Sequence, residues 1–191
     1  MFPNPLHPAV VHVPLALAFV LPLFAIAVLV GWWRSWWSQR VWILVAALQV
    51  VAAAAAFLAV RSGGADEERV ERVVAESYIE AHEEAADVFA WSSLGVAALA
   101  IAGFAVPGQR PRKILASLAT MGMLFLLVAG LRVGKLGGEL VYVHGAAQAH
   151  VSQAAFDRAE GAQARGPAQP GRDASAKENP DTSGGRAGEE E

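Results

Sequence analysis

The chain has 191 residues, is 54% hydrophobic, contains no cysteine and carries a formal charge of -3, with a mean hydropathy of +0.36. Without cysteine there is no disulfide, iron–sulfur cluster, covalently attached c-type haem or thiolate site, so metal chemistry falls to His, Asp, Glu, Tyr or Met. The small net charge, partly from an acidic tail, leaves no basic surface for nucleic acid.

The apolar residues fall in four blocks, each near the roughly 20 residues that a membrane helix needs. The first runs from about Pro8 to Val30 with Pro14 and Pro22 inside it. It lacks a basic leader and a small-x-small cleavage site, so it is read as a retained span rather than a signal peptide. The loop "GWWRSWW" follows and holds four of the six tryptophans, as expected where indoles anchor at headgroup level. The second block, Val41 to Val60, has Gln49 as its one strongly polar residue. The third runs from about Ala85 to Val106 and the fourth from Ile114 to Val133, joined by "PGQRPRK". The expected fold is all-α: a four-helix transmembrane bundle over residues 1–148. The remainder, 149–191, is rich in Ala, Gly, Pro, Ser and charge and cannot bury enough apolar surface to offset ordering entropy. It reads as a disordered exoplasmic tail in which only "AAFDRAEGAQAR" favours a short helix.

Loop charge sets the orientation. Arg34 and Arg40 lie between the first two spans, and Arg110, Arg112 and Lys113 between the last two, with no acidic residue in either loop. The long connection between spans two and three holds three arginines among many carboxylates. Positive-inside counting puts the short loops in the cytoplasm and both termini outside.

That topology gathers histidines. His7 and His12 open span one, His82 precedes span three and His144 follows span four, so all four fall at the exoplasmic face; His150 lies next to the tail. His7 and His12 are five residues apart, about 140° on a helix, and do not share a face. Pro8 suits the first helical position, which makes His7 an N-cap free to fold over the bundle end, with His12 pointing inward. Before span three, Val70, Val73, Val74, Ser77 and Ala81 recur at helical spacing, so a helix extends out of the membrane with Tyr78 and His82 on one face. Asp87 enters the apolar run and would want a partner. After span four, Gly134, Gly137 and Gly138 can end the helix. "ELVYVHG" then reads as an extended strap aiming Tyr142 and His144 the same way, and Glu139 can cap, pair with Arg132 or Lys135, or stay solvated, the last being expected.

"LHPAVVHVPLAL" resembles the "HPxxVHFPIAL" opening, and "GGELVYVHG" the "GGxLVYxHGxGV" ending, of the bacterial four-helix membrane family known as domain of unknown function 2231. The resemblance covers about residues 5–148, and His82 fits a histidine of that family. Val13 stands where the family often has Phe, and "GAAQ" follows His144 where it often has "GVGV". Relatives of this type occur beside Rieske or cytochrome c modules. The resemblance therefore implies electron transfer at the outer face of the bacterial inner membrane, with a cytochrome c or Rieske-type partner. The family has no settled activity.

Chemistry narrows the ligand. A b-type haem needs two axial imidazoles on facing helices, small residues beside the macrocycle and donors near the propionates. His12 and His82, or His82 and His144, could be the axial pair, with His7 as alternate and Tyr142 as a hydrogen-bonding neighbour. "VAAAAAF", Gly95, Gly103, Gly122 and Gly130 are small, and Arg132 or Lys135 could meet propionates. A bare copper, zinc or iron ion held by His7, His12, His82, His144 and Asp87 is the alternative, and a non-catalytic scaffold fastened by the histidines is the third. Only Gln49, Met121 and Met123 offer coordinating groups along a path through the bilayer, which disfavours transport. No nucleophile elbow or phosphate loop supports a stand-alone enzyme.

Overall fold

Lipid offers the backbone no hydrogen-bond partner, so each apolar block must satisfy its own amides as helix. A computed structural model describes residues 7–64 and 67–149, with positions 151, 155 and 158 beyond them. Its elements are α1 (His7–Val10), α2 (His12–Trp33), a 3-10 turn (Gln39–Val41), α3 (Trp42–Gly64), α4 (Glu67–Val70), α5 (Glu76–Ala105) and α6 (Gln109–Tyr142). No strand occurs among the described residues. Backbone bonds from Val11 to His7 and from Leu15 to Val11 join α1 to α2, so His7 through Trp33 acts as one span, with His7 already helical. Four helices are long and apolar enough to cross a membrane: His7–Trp33, Gln39–Gly64, Glu76–Ala105 and Gln109–Tyr142.

The four pack as a ring, α2 against α3 and α6, and α5 against α3 and α6. Alanine and glycine dominate the contacts, because helices in lipid associate by close van der Waals approach rather than by escape from water. A Cβ added at Gly122 would lie 2.6 Å from Val96 Cγ2, and one at Gly103 would lie 3.1 Å from both the Ala116 backbone nitrogen and Trp42 Nε1. Trp42 is fully buried and donates its indole N–H to the Ala100 carbonyl at 2.9 Å, locking α3 to α5. Mid-bundle, Gln49 donates to the Ser93 carbonyl at 3.2 Å. Both residues line a cavity of about 10 Å³, and Ser93 Oγ has no partner among the described residues.

Helices α5 and α6, with 30 and 34 residues, are about 45 and 50 Å long at 1.5 Å per residue. That exceeds the roughly 30 Å hydrocarbon core. The start of α5 and the end of α6 meet at one end of the bundle, where the start of α1 and the end of α3 also lie. This is the histidine end; the tryptophan loop and the α5–α6 turn form the other.

Two local expectations are corrected. The helix expected without interruption over residues 70–81 is broken: α4 ends at Val70, Ala75 is extended and α5 starts at Glu76. The β-branched pair Val73–Val74 is a poor helix former, and Val74 turns into a small core with Ile79, Leu140 and Ala146. The glycines at 134, 137 and 138 do not end α6, and "ELVY" is helix rather than strap. Leu140 is held in the same small core, and the left-handed residue that turns the chain is Gly145, at φ 76°. Val143 and His144 N–H groups bond the Glu139 carbonyl, and Ala146 N–H bonds that of Leu140. Most of the expected disordered tail, with His150 and most of "AAFDRAEGAQAR", lies outside the described residues.

Candidate histidine site

Helical geometry lets only one of His7 and His12 face the bundle, since five residues turn the chain by about 140°. The structure selects His7. Its Nδ1 lies 3.0 Å from the Ala59 carbonyl and 3.1 Å from Ser62 Oγ on α3. Ser62 spends its own proton on the same carbonyl at 2.8 Å. A carbonyl only accepts, so Nδ1 carries the ring proton, and in the neutral imidazole Nε2 keeps its lone pair. A carbonyl holding one ring N–H is also how proteins orient a metal-binding histidine.

His82, near the start of α5, meets His7. The ring centroids are 6.4 Å apart with planes at 90°. His82 Nδ1 is buried and makes no well-formed hydrogen bond among the described residues; the Val133 carbonyl of α6 is the weak acceptor beside the ring. A buried ring nitrogen without a well-formed partner is uncommon in native structures and calls for an explanation, such as a bound ligand, ion or water. Each imidazole rests on a glycine: a Cβ at Gly63 would be 3.2 Å from His7 Cε1, and a Cβ at Gly137 would be 3.1 Å from His82 Cε1. These two glycines make room for the rings.

The other expected residues are placed differently. His144 stacks on Tyr78 of α5, with centroids 3.8 Å apart and planes at 20°, which pins the chain after α6 one turn from His82. His12 is exposed rather than inward and makes no hydrogen bond or ring contact among the described residues. Asp87, expected to be partly buried, is exposed, as is Arg132. Tyr142, the last residue of α6, is 89% exposed, whereas His144 lies past the helix end against Tyr78, so the strand alternation that would aim both the same way is absent. Glu139 is not simply solvated; its carboxylate sits 3.6 Å from Lys135 Nζ. Among the described residues no group of three or more His, Asp or Glu is placed to hold a metal ion.

The family model described as a predicted membrane protein (DUF2231) matches residues 3–150. The chain belongs to the DUF2231 family. No curated protein and no solved structure matches it. The span matched by the DUF2231 model includes both histidines of the pair and both glycines beneath them.

Ala59, Ser62, Gly63 and Gly137 are parts of the site that sequence reasoning missed. "RSGG" and "LGGE" each contain the relevant glycine, but the first falls in the stretch read as a connection and the second reads as a helix terminator. The signal that could have found them is the pairing of a Gly-Gly step with a histidine on the facing helix.

Proposed function

We propose that His7 and His82 are the ligand pair of a metal centre at the exoplasmic end of the bundle, specifically a b-type haem serving electron transfer. The observation that carries this reading is the meeting of two half-buried imidazoles from separate helices, His82 with its Nδ1 buried and without a well-formed hydrogen bond beside the ring of His7. Three further features support it. The Ala59 carbonyl fixes His7 in the tautomer that leaves Nε2 for a ligand. The rings come from separate helices, as in other bundle cofactor sites. Their ring centroids lie 6.4 Å apart, near enough for both imidazoles to serve one centre.

The number of ligands favours haem over a bare ion. Structural zinc wants four protein ligands, whereas a macrocycle supplies four nitrogens and asks the protein for two. The pair His7 and His82 replaces the expected pair His12 and His82. Bound there, haem supplies a one-electron couple, and the chain's part is to orient the two imidazoles and exclude water from them. Placement in the bacterial inner membrane with this end outside is supported by Arg34, Arg40, Arg110, Arg112 and Lys113 at the opposite end. A soluble cytochrome c or Rieske-type protein would then be the redox partner.

The test is an absorption spectrum of the full chain purified in detergent, air-oxidised and then reduced with dithionite, with metal analysis of the same sample. Sharp reduced bands and about one iron per chain are expected. Colourless protein carrying copper or zinc would replace haem by a bare ion. Colourless, metal-free protein would leave the histidines as fasteners of a scaffold and overturn the proposal.

A further inference from the structure

The opposite end of the bundle holds a second feature that the histidine site does not use. Loop residues 34–40 and 107–113 carry five cations and no carboxylate. One of these cations is occupied: Arg112 donates to the Val106 carbonyl at 2.6 Å and to Gln39 Oε1 at 2.9 Å, tying the two loops together. Arg110 and Lys113 are not paired with any carboxylate among the described residues. Both line a groove of about 400 Å³ whose other walls are Trp33, Ile114, Ser117 and Leu118. Lys113 Nζ lies within cation–π range of two indoles, 5.9 Å from the Trp32 ring and 5.8 Å from the Trp33 ring. Cation–π contact holds the ammonium without neutralising it.

The groove has a polar head and an apolar stem. Ile114 and Leu118 are exposed, and Met121 and Phe125 continue their stripe down α6 at helical spacing, 66% and 52% exposed. Two cations without a carboxylate partner, beside an exposed apolar stripe on a membrane-spanning helix, complement one chemistry. Basic pockets at a membrane interface bind anionic headgroups, and the stripe matches an acyl chain.

We propose that this groove is a binding site for an anionic phospholipid, its phosphate held by Arg110 and Lys113 and one acyl chain lying along Trp33, Ile114, Leu118 and Met121. The site is independent of the histidine pair.

Native mass spectrometry tests it on the delipidated full chain, with phosphatidylglycerol or phosphatidylcholine of identical chains added. The expected result is at least tenfold higher retention of phosphatidylglycerol, abolished by Arg110→Ala with Lys113→Ala and kept by Arg132→Ala at the other end. If the double variant does not fold, Arg110→Gln and Lys113→Gln singly are each expected to reduce the preference severalfold, with Lys113→Arg retaining it. Equal retention of the two lipids by the unaltered chain, or an undiminished preference in folded variants, would overturn the assignment. So would dimers of the chain that dissociate in the double variant, because the groove would then be covered by a second copy.

Discussion

On the proposed haem reading, Gly137→Val is expected to lose the cofactor while leaving the bundle folded. A Cβ at this position lies 3.1 Å from His82 Cε1 and 3.6 Å from Nδ1, and valine adds two methyl groups beyond it. Because α5 and α6 are packed along their lengths, the imidazole is the part free to move, and it must swing away from His7. Gly is about 0.3–0.5 kcal/mol worse than Val inside a helix, so α6 itself gains slightly. The measurable outcome is at least a tenfold loss of bound cofactor with unchanged helical circular dichroism. Gly138→Ala is the control, since a Cβ there meets nothing within 4 Å; it is expected to bind fully. Equal binding by both variants would show that seating of His82 on α6 does not matter.

Trp42→Ala is expected to cost more stability than any other single truncation in the bundle. The indole is fully buried, donates to the Ala100 carbonyl and touches the position where Gly103 admits α6. Buried Trp→Ala changes cost about 3–5 kcal/mol in soluble proteins. Lipid does not penalise an exposed indole as water does, so about 3 kcal/mol is expected here, from lost packing and the lost hydrogen bond. Unfolding titrations in mixed detergent micelles would read this. Trp36→Ala serves as control, because Trp36 is 67% exposed and its loss is expected to leave the transition unmoved. A similar shift for the two would mean that Trp42 is an ordinary belt residue.

The fold was legible because the bilayer leaves few options: apolar runs of the right length must be helices, and loop length dictates that neighbours run antiparallel. The gathering of His7, His82 and His144 at one end followed from that topology alone. What was not legible depended on side-chain direction and on local competition. His12 and His7 could not both face inward, and the sequence does not say that α3 offers a carbonyl and a hydroxyl at the height of His7. Gly137 looked like a helix stop because glycine tolerates left-handed backbone. Here its missing side chain is what matters, and the residue that uses positive φ is Gly145. Tyr142 was misjudged for the same reason, since an α6 ending at Gly134 would have left it on a strand. Asp87 lies on an outward face of α5, which the apolar run around it does not reveal.

The most direct test of the central claim is the cofactor content per chain of His7→Ala beside His12→Ala, read from the reduced absorption spectrum and iron analysis. The pairing of His7 with His82 predicts that His12→Ala binds as the unaltered chain does, whereas His7→Ala loses at least tenfold. Full binding by His7→Ala, or loss confined to His12→Ala, would contradict the assignment.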